Sequence, residues 1–216
     1  MSTQRSVLGL KVLLWLGALA PGAWLVIGFF RDDLTANPIE KITHVTGLTA
    51  LVLLIVTLAV TPIRRYSGWN PIAKLRRPLG LFAFFYAFVH FGIWAGLDMT
   101  FVWEWMLEDI AERPYITVGF SAFIVLVPLA LTSTQGAIRR LGKRWGILHR
   151  GAYLAAALGV VHFYWLVKAD TRLPLSLGAA LVVLLALRVP AWREKRARRA
   201  ARAAASSEPS ESATAV

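Results

Sequence analysis

The sequence predicts an all-α integral membrane protein, a six-transmembrane-helix bundle with both termini cytoplasmic. Three observations predict it: composition, the length of the apolar runs, and the alternation of charge between the loops. Of the 216 residues 57% are hydrophobic and only 17% charged, with a mean hydropathy of +0.57, beyond what a soluble domain tolerates. At roughly 20 apolar residues per helical span, a chain of 216 residues has room for six spans and no second domain. The transmembrane domain is expected over 1–192, followed at 193–216 by a disordered cytoplasmic tail, basic at first and then rich in Ser, Glu and Pro.

The runs lie at 12–30, 45–63, 79–97, 115–133, 149–167 and 174–189. The first imitates a signal peptide, because Ala18-Leu19-Ala20 resembles a cleavage site. Pro21 follows directly, however, and the run continues apolar to Phe30, so it reads as a retained helix. Pro62 punctuates the end of the second run, Pro114 the start of the fourth and Pro174 the start of the sixth. Between the third and fourth, residues 101–110 mix aromatic, aliphatic and acidic side chains. An interfacial helix with Trp103 and Trp105 at headgroup level, or a landing site for a partner, accounts for that pattern.

Basic residues fall in alternate loops. Arg64, Arg65, Lys74, Arg76 and Arg77 form one group, Arg139, Arg140, Lys143 and Arg144 a second, and a stretch from 188 to 202 the third. Acids occupy the opposite loops, among them Asp32, Asp33, Glu40, Asp98, Glu104, Glu108, Asp109, Glu112 and Asp170. The positive-inside rule therefore explains the net charge of +12 without nucleic acid, and the Arg residues of the tail are expected to meet anionic lipid.

Cysteine is absent, which removes disulfides, thiolate ligation, iron–sulfur clusters and covalent c-type haem attachment. Any metal must lean on the four histidines, His44, His90, His149 and His162. Three fall inside predicted spans, where an ionisable group is expensive and faces a partner, a cavity or a cofactor. A bis-histidine haem needs two neutral imidazoles from different helices facing each other in an apolar slot. Counted from the cytoplasmic side at about 1.5 Å per residue, His90 lies about 16 Å deep and His162 about 20 Å deep, so the two can meet in the outer half. His149 precedes His162 by roughly 20 Å of helix and lies near the cytoplasmic surface. It suits a second haem only with a different ligand, a water or a shared arrangement. His44 opens the second helix, level with His90 and His162, as a ligand, a propionate contact or a relay.

An interhelical hydrogen bond explains a single intramembrane histidine equally well, whereas three at compatible depths favour haem. Aromatics flank His90 and His162, and Gly80, Gly92, Gly151 and Gly159 make room either for a flat ring or for close helix packing. Arg76, Arg77 and Arg150 stand at the inner membrane edge, where guanidinium suits a haem propionate or a flavin phosphate, although the positive-inside pattern alone also puts them there. No Gly-rich dinucleotide fingerprint and no phosphate-binding loop occurs, so electrons must arrive from another molecule.

Seven segments together resemble the MsrQ (YedZ) family, haem-binding membrane subunits within the ferric reductase-like transmembrane superfamily. They are NPIEKITHVTGLTAL from Asn37, TPIRRY from Thr61, RRPLG from Arg76, RPYITVG from Arg113, LTSTQ from Leu131, LGKRWGILHRGAYL from Leu141 and VHFYWLVK from Val161. The resemblance implies that His90, His149 and His162 are the haem-linked histidines, with one or two b-type haems, and that His44 is the histidine at the start of helix two. It also implies a bacterial inner-membrane location and a periplasmic molybdopterin partner, MsrP, which reduces methionine sulfoxide in oxidised envelope proteins. By the same resemblance, electrons would come from the quinone pool or a cytosolic flavin reductase. FMN is associated with the family, with no site legible in the sequence. Two rival readings are a stand-alone ferric or quinone reductase, and a cofactor-free transporter or structural subunit.

Overall fold

The computed structural model describes residues 2–190, 193, 194 and 197; the expected disordered tail otherwise lies outside the described residues. Helix α1 (Ser2–Phe30) leads to α2 (Pro38–Ser67), a 3-10 segment (Asn70–Leu75) and α3 (Arg76–Ile93). A π-helical turn (Trp94–Asp98) continues α3, and the short α4 (Trp103–Glu112) precedes α5 (Pro114–Leu131). Then come α6 (Gln135–Leu141), α7 (Lys143–Leu148), α8 (Gly151–Leu166) and α9 (Arg172–Ala186). No strand occurs among the described residues.

Four stretches are long and apolar enough to cross a membrane: Val7–Phe30, Pro38–Ser67, Asn70–Asp98 and Pro114–Leu131. Helices α8 and α9, at 16 and 15 residues, are shorter. Side chains such as Leu13, Phe30, Phe88 and Val182 are more than half exposed, the apolar exterior of a protein surrounded by lipid.

Local chemistry sets the helix ends. Asn37 caps α2, its Oδ1 accepting from the Glu40 amide at 3.3 Å while its Nδ2 donates to Glu40 Oε2 at 3.1 Å, and Pro38 follows at a position that needs no amide proton. Gly68 ends the helix in the left-handed region at φ 68°. Within α2 the hydroxyls of Thr43, Thr46, Thr49 and Thr57 donate to carbonyls four residues back, which lets polar residues sit in an apolar helix.

Helices α2 and α3 pack closely together, as do α5 and α8. Between these pairs lies a core of Leu54, Leu58, Ala83, Leu126, Ala155, Ala156 and Leu181. The alanines there are at most 1% exposed, and such small residues let helix backbones approach. Helix α1 is held by Tyr86. Pro21 has already removed one amide from the α1 ladder, and the Tyr86 hydroxyl enters next to it, accepting from Gly22 N at 3.0 Å and donating to Ala18 O at 2.7 Å. The hydroxyl thereby bridges the two groups that a helical bond between Gly22 and Ala18 would join. At the far end of the chain the buried Arg188 donates to the Tyr153 hydroxyl and the Leu58 carbonyl, tying the end of α9 to α8 and α2.

The bundle has two chemically distinct ends. Arg64, Arg76 and Arg139 lie where α2 and α5–α6 finish and α3 begins, which we call the basic end. Glu40, Asp98 and Asp109 lie where α2 and α5 begin and α3 finishes, the acidic end.

Candidate functional site

A cavity of about 680 Å³ opens between α2, α3, α5 and α8 toward the acidic end. Leu51, Leu54, Phe91, Phe123 and Leu126 form much of its wall, and Asn37, Glu40, Asp98 and Arg113 stand at its polar side. His90 from α3 and His162 from α8 both line it, with ring centroids 6.2 Å apart and planes inclined at 76°. The depth count from sequence brought these two together, and the reason is plain: α3 and α8 both start at the basic end and run in the same direction.

Each imidazole is held from behind. His90 Nδ1 donates to the Thr43 carbonyl at 2.9 Å, and His162 Nδ1 donates to the Tyr115 carbonyl at 2.6 Å. A carbonyl only accepts, so both rings carry their proton on Nδ1 and leave Nε2 as a lone-pair donor. This outer hydrogen bond is the one that orients metal-binding histidines.

His44 lines the same cavity from the second turn of α2, with an exposed side chain. His149 does not line it. It sits at the turn from α7 into α8, where it caps α7. Its ring stacks on Trp145 at 4.0 Å, and its Nε2 lies 3.1 Å from Thr132 Oγ1, which itself donates to the Pro128 carbonyl at 2.6 Å. Trp145 Nε1 closes the cluster on the Thr132 carbonyl at 3.0 Å. Arg76, Arg77 and Arg150 are exposed at the basic end, and Arg76 donates to Thr61 Oγ1 at 2.6 Å. Of the glycines noted in the sequence, Gly159 lines the cavity, whereas Gly92 faces open space.

Sequence reasoning did not single out Asp109. This carboxylate is 8% exposed; Oδ2 accepts from Trp94 Nε1 at 2.9 Å and Oδ1 pairs with Arg113 at 3.0 Å. It thereby clamps the π-helical turn after His90 to the beginning of α5. The Asp109 carboxylate, and after it Tyr115, hold the Arg113 guanidinium above its ordinary pKa. The spacing of Asp109 and Arg113 at i,i+4 was a usable signal.

Comparison with known proteins places this architecture. Residues 46–160 match the model of the ferric reductase like transmembrane component, a stretch that holds His90 and His149 and ends just before His162. A protein of Herminiimonas arsenicoxydans, named protein-methionine-sulfoxide reductase heme-binding subunit MsrQ, is 49% identical over 190 residues, covering 86% of this chain and 87% of its own. The chain belongs to the MsrQ family. Other MsrQ proteins, from Xanthomonas axonopodis pv. citri and Bordetella parapertussis, are 47% and 46% identical over 91% and 90% of the chain, and 92% and 95% of their own length. No solved structure matches.

The residues present fit the haem that the names of these MsrQ relatives specify. Metal–imidazole bonds are about 2 Å long, and a ring centre lies roughly 1 Å beyond its nitrogen, so two imidazoles on one iron sit on the order of 6 Å apart between centres. The observed 6.2 Å is that separation. The donor set, two imidazole nitrogens with Nδ1 satisfied and an apolar surround, is of a kind that could hold a haem iron.

Proposed function

We propose that this chain is a haem b membrane subunit that passes electrons across a bacterial inner membrane to MsrP, a periplasmic molybdopterin subunit. MsrP in turn reduces methionine sulfoxide in oxidised periplasmic proteins. The observation that carries this reading is the pair His90 and His162, facing each other across an apolar cavity with Nδ1 of each already satisfied. In this reading α1, α2, α3, α5, α8 and α9 are six spans, both termini and the basic end are cytoplasmic, and the acidic end is periplasmic. The split of arginine and carboxylate between the two ends supports that orientation. Helices α8 and α9 reach through interfacial flanks and local thinning of the bilayer.

Haem, when bound, supplies one-electron chemistry within reach of the periplasmic face. The chain's own residues do the rest. His90 and His162 would hold the iron, the Thr43 and Tyr115 carbonyls fix their tautomer, and the leucine and phenylalanine side chains of the wall surround the pair with apolar surface. His44 at the cavity is a further candidate ligand, propionate contact or relay toward the partner. Arg76, Arg77 and Arg150 are assigned to a haem propionate or the phosphate of FMN near the cytoplasmic donor, the quinone pool or a cytosolic flavin reductase. A second haem at His149 requires Thr132 and Trp145 to release it.

The test is an absorption spectrum with a haem-to-protein ratio for the purified protein, together with reduction of MsrP by the dithionite-reduced form. Colourless, iron-free protein from haem-replete cells sinks the reading in favour of a cofactor-free subunit. A haem protein that reduces ferric iron or quinone but not MsrP would instead be a stand-alone reductase.

A further inference from the structure

The two histidine seats are built alike. In each, a backbone carbonyl accepts from the histidine Nδ1 across 47 positions of sequence, Thr43 for His90 and Tyr115 for His162. One helical turn beyond each acceptor stands a glycine, Gly47 on α2 and Gly119 on α5. A Cβ on Gly47 would lie 2.9 Å from His90 Cε1 and 3.0 Å from its Nδ1; on Gly119 it would lie 2.6 Å from His162 Nδ1 and 2.8 Å from Cε1. Such approaches are closer than non-bonded atoms tolerate. Neither ring can swing away without giving up its carbonyl.

The likeness extends through the sequence. Thr43 and Tyr115, Gly47 and Gly119, and His90 and His162 are all separated by 72 residues. The same offset lays Val89-His90-Phe91 on Val161-His162-Phe163, Ala50 on Ala122, Leu54 on Leu126 and Ala83 on Ala155. Leu54, Ala83, Leu126 and Ala155 belong to the shared core, so the repeat covers the packing of α2 on α3 and of α5 on α8 as well as the site. The other histidines have no counterpart: His44 falls on Ile116, and His149 on Arg77.

We infer that α2–α3 and α5–α8 are two copies of one helix-pair unit, and that Gly47 and Gly119 are its equivalent positioning residues, each clearing the seat that aims one histidine Nε2 into the cavity. This rests on His90 and His162 being the axial ligands. The glycine removes the atom that would displace the ring, and the carbonyl selects its tautomer. Two copies facing one another yield one site with matched ligands.

Two measurements on the full-length, haem-loaded protein test this. Histidine 15N spectra of the ferrous low-spin wild type should show both axial rings protonated at Nδ1 in a hydrogen bond, with Nε2 on iron. An axial ring bound through Nδ1, or one lacking that hydrogen bond, overturns the inference, and this result needs no variant to fold. In G47A and G119A the midpoint potential and the low-spin ferric EPR signal should both shift, in the same direction in the two variants, with haem retained. G17A on α1, where a Cβ meets nothing within 4 Å, should match the wild type. Wild-type potential and EPR in both G47A and G119A refute the duplicated seat. Running H90A and H162A alongside separates the two ideas: if those variants keep the bis-histidine spectrum, the ligand reading itself fails, whereas their loss beside unmoved glycine variants sinks only this inference.

Discussion

Replacing Asp109 offers a graded test of how the acidic end is held together. The carboxylate is 8% exposed, whereas the Arg113 side chain that pairs with it is 55% exposed. A charge-assisted hydrogen bond is worth about 1.5–3 kcal/mol, and with one partner so open to solvent the pair should contribute only about 1 kcal/mol. Asp109→Asn keeps an oxygen for Trp94 Nε1 and loses only the charge pairing, so it should destabilise by about 1 kcal/mol. Asp109→Ala removes both partners and strands the indole N–H beside the cavity, adding about 1–3 kcal/mol. Thermal release of haem from the detergent-solubilised protein, followed at the Soret band, should therefore rank wild type above Asn and Asn clearly above Ala. Equal effects of the two substitutions, or none from either, would refute the claim that the Trp94 bond is the larger part of the clamp. A Soret position that stays unchanged before melting in both variants would place Asp109 as a positioning residue and not a ligand.

Further expectations follow from other contacts. His90→Ala and His162→Ala should each abolish the bis-histidine spectrum, while His149→Ala should leave it intact and only loosen the Trp145–Thr132 cluster; a loss of that same spectrum in His149→Ala would contradict the observed cavity. Tyr86→Phe should lower the unfolding free energy by about 1 kcal/mol, because α1 can partly re-form its own bond between Gly22 and Ala18 once the hydroxyl is gone; denaturation in mixed micelles reads this. Arg188→Met keeps much of the aliphatic stem but surrenders two hydrogen bonds and the stacking on Tyr153, 4.9 Å from guanidinium carbon to ring centre. It should cost about 2–4 kcal/mol, detectable as faster proteolysis near the end of α9.

What the sequence disclosed and what it hid divide along physical lines. Helices made of long apolar runs were legible because their length is imposed by the bilayer and not by a partner. The meeting of His90 and His162 was legible too, since rise per residue converts position into depth once the direction of each helix is known. His149 was read as the first residue of the fifth apolar run, near the cytoplasmic surface. Composition does not distinguish a helix from the capped turn that Trp145 and Thr132 create, and Thr132 lies 17 positions away. Phe101 to Ile110 was legible as an amphipathic segment, and α4 occupies most of it. The burial of Asp109 within that helix was not, since it depends on a π-helical turn in another element bringing Trp94 within 2.9 Å.

Gly47 and Gly119 show the same boundary from the other side. A glycine in a membrane helix is ordinarily read as a place where two backbones approach, and nothing in the run around either residue says otherwise. Only when His90 and His162 are seen against them does the spacing become meaningful, because the acceptor carbonyl, the glycine and the histidine form a fixed triad that occurs twice. Once known, the triad makes the unequal roles of the four histidines intelligible. Two sit in matched seats with their Nδ1 protons spoken for, while His44 and His149 stand at positions where the repeat has isoleucine and arginine. In the two matched seats a backbone carbonyl of the neighbouring helix fixes each imidazole through Nδ1, so the positions of both rings are set by the chain's own packing.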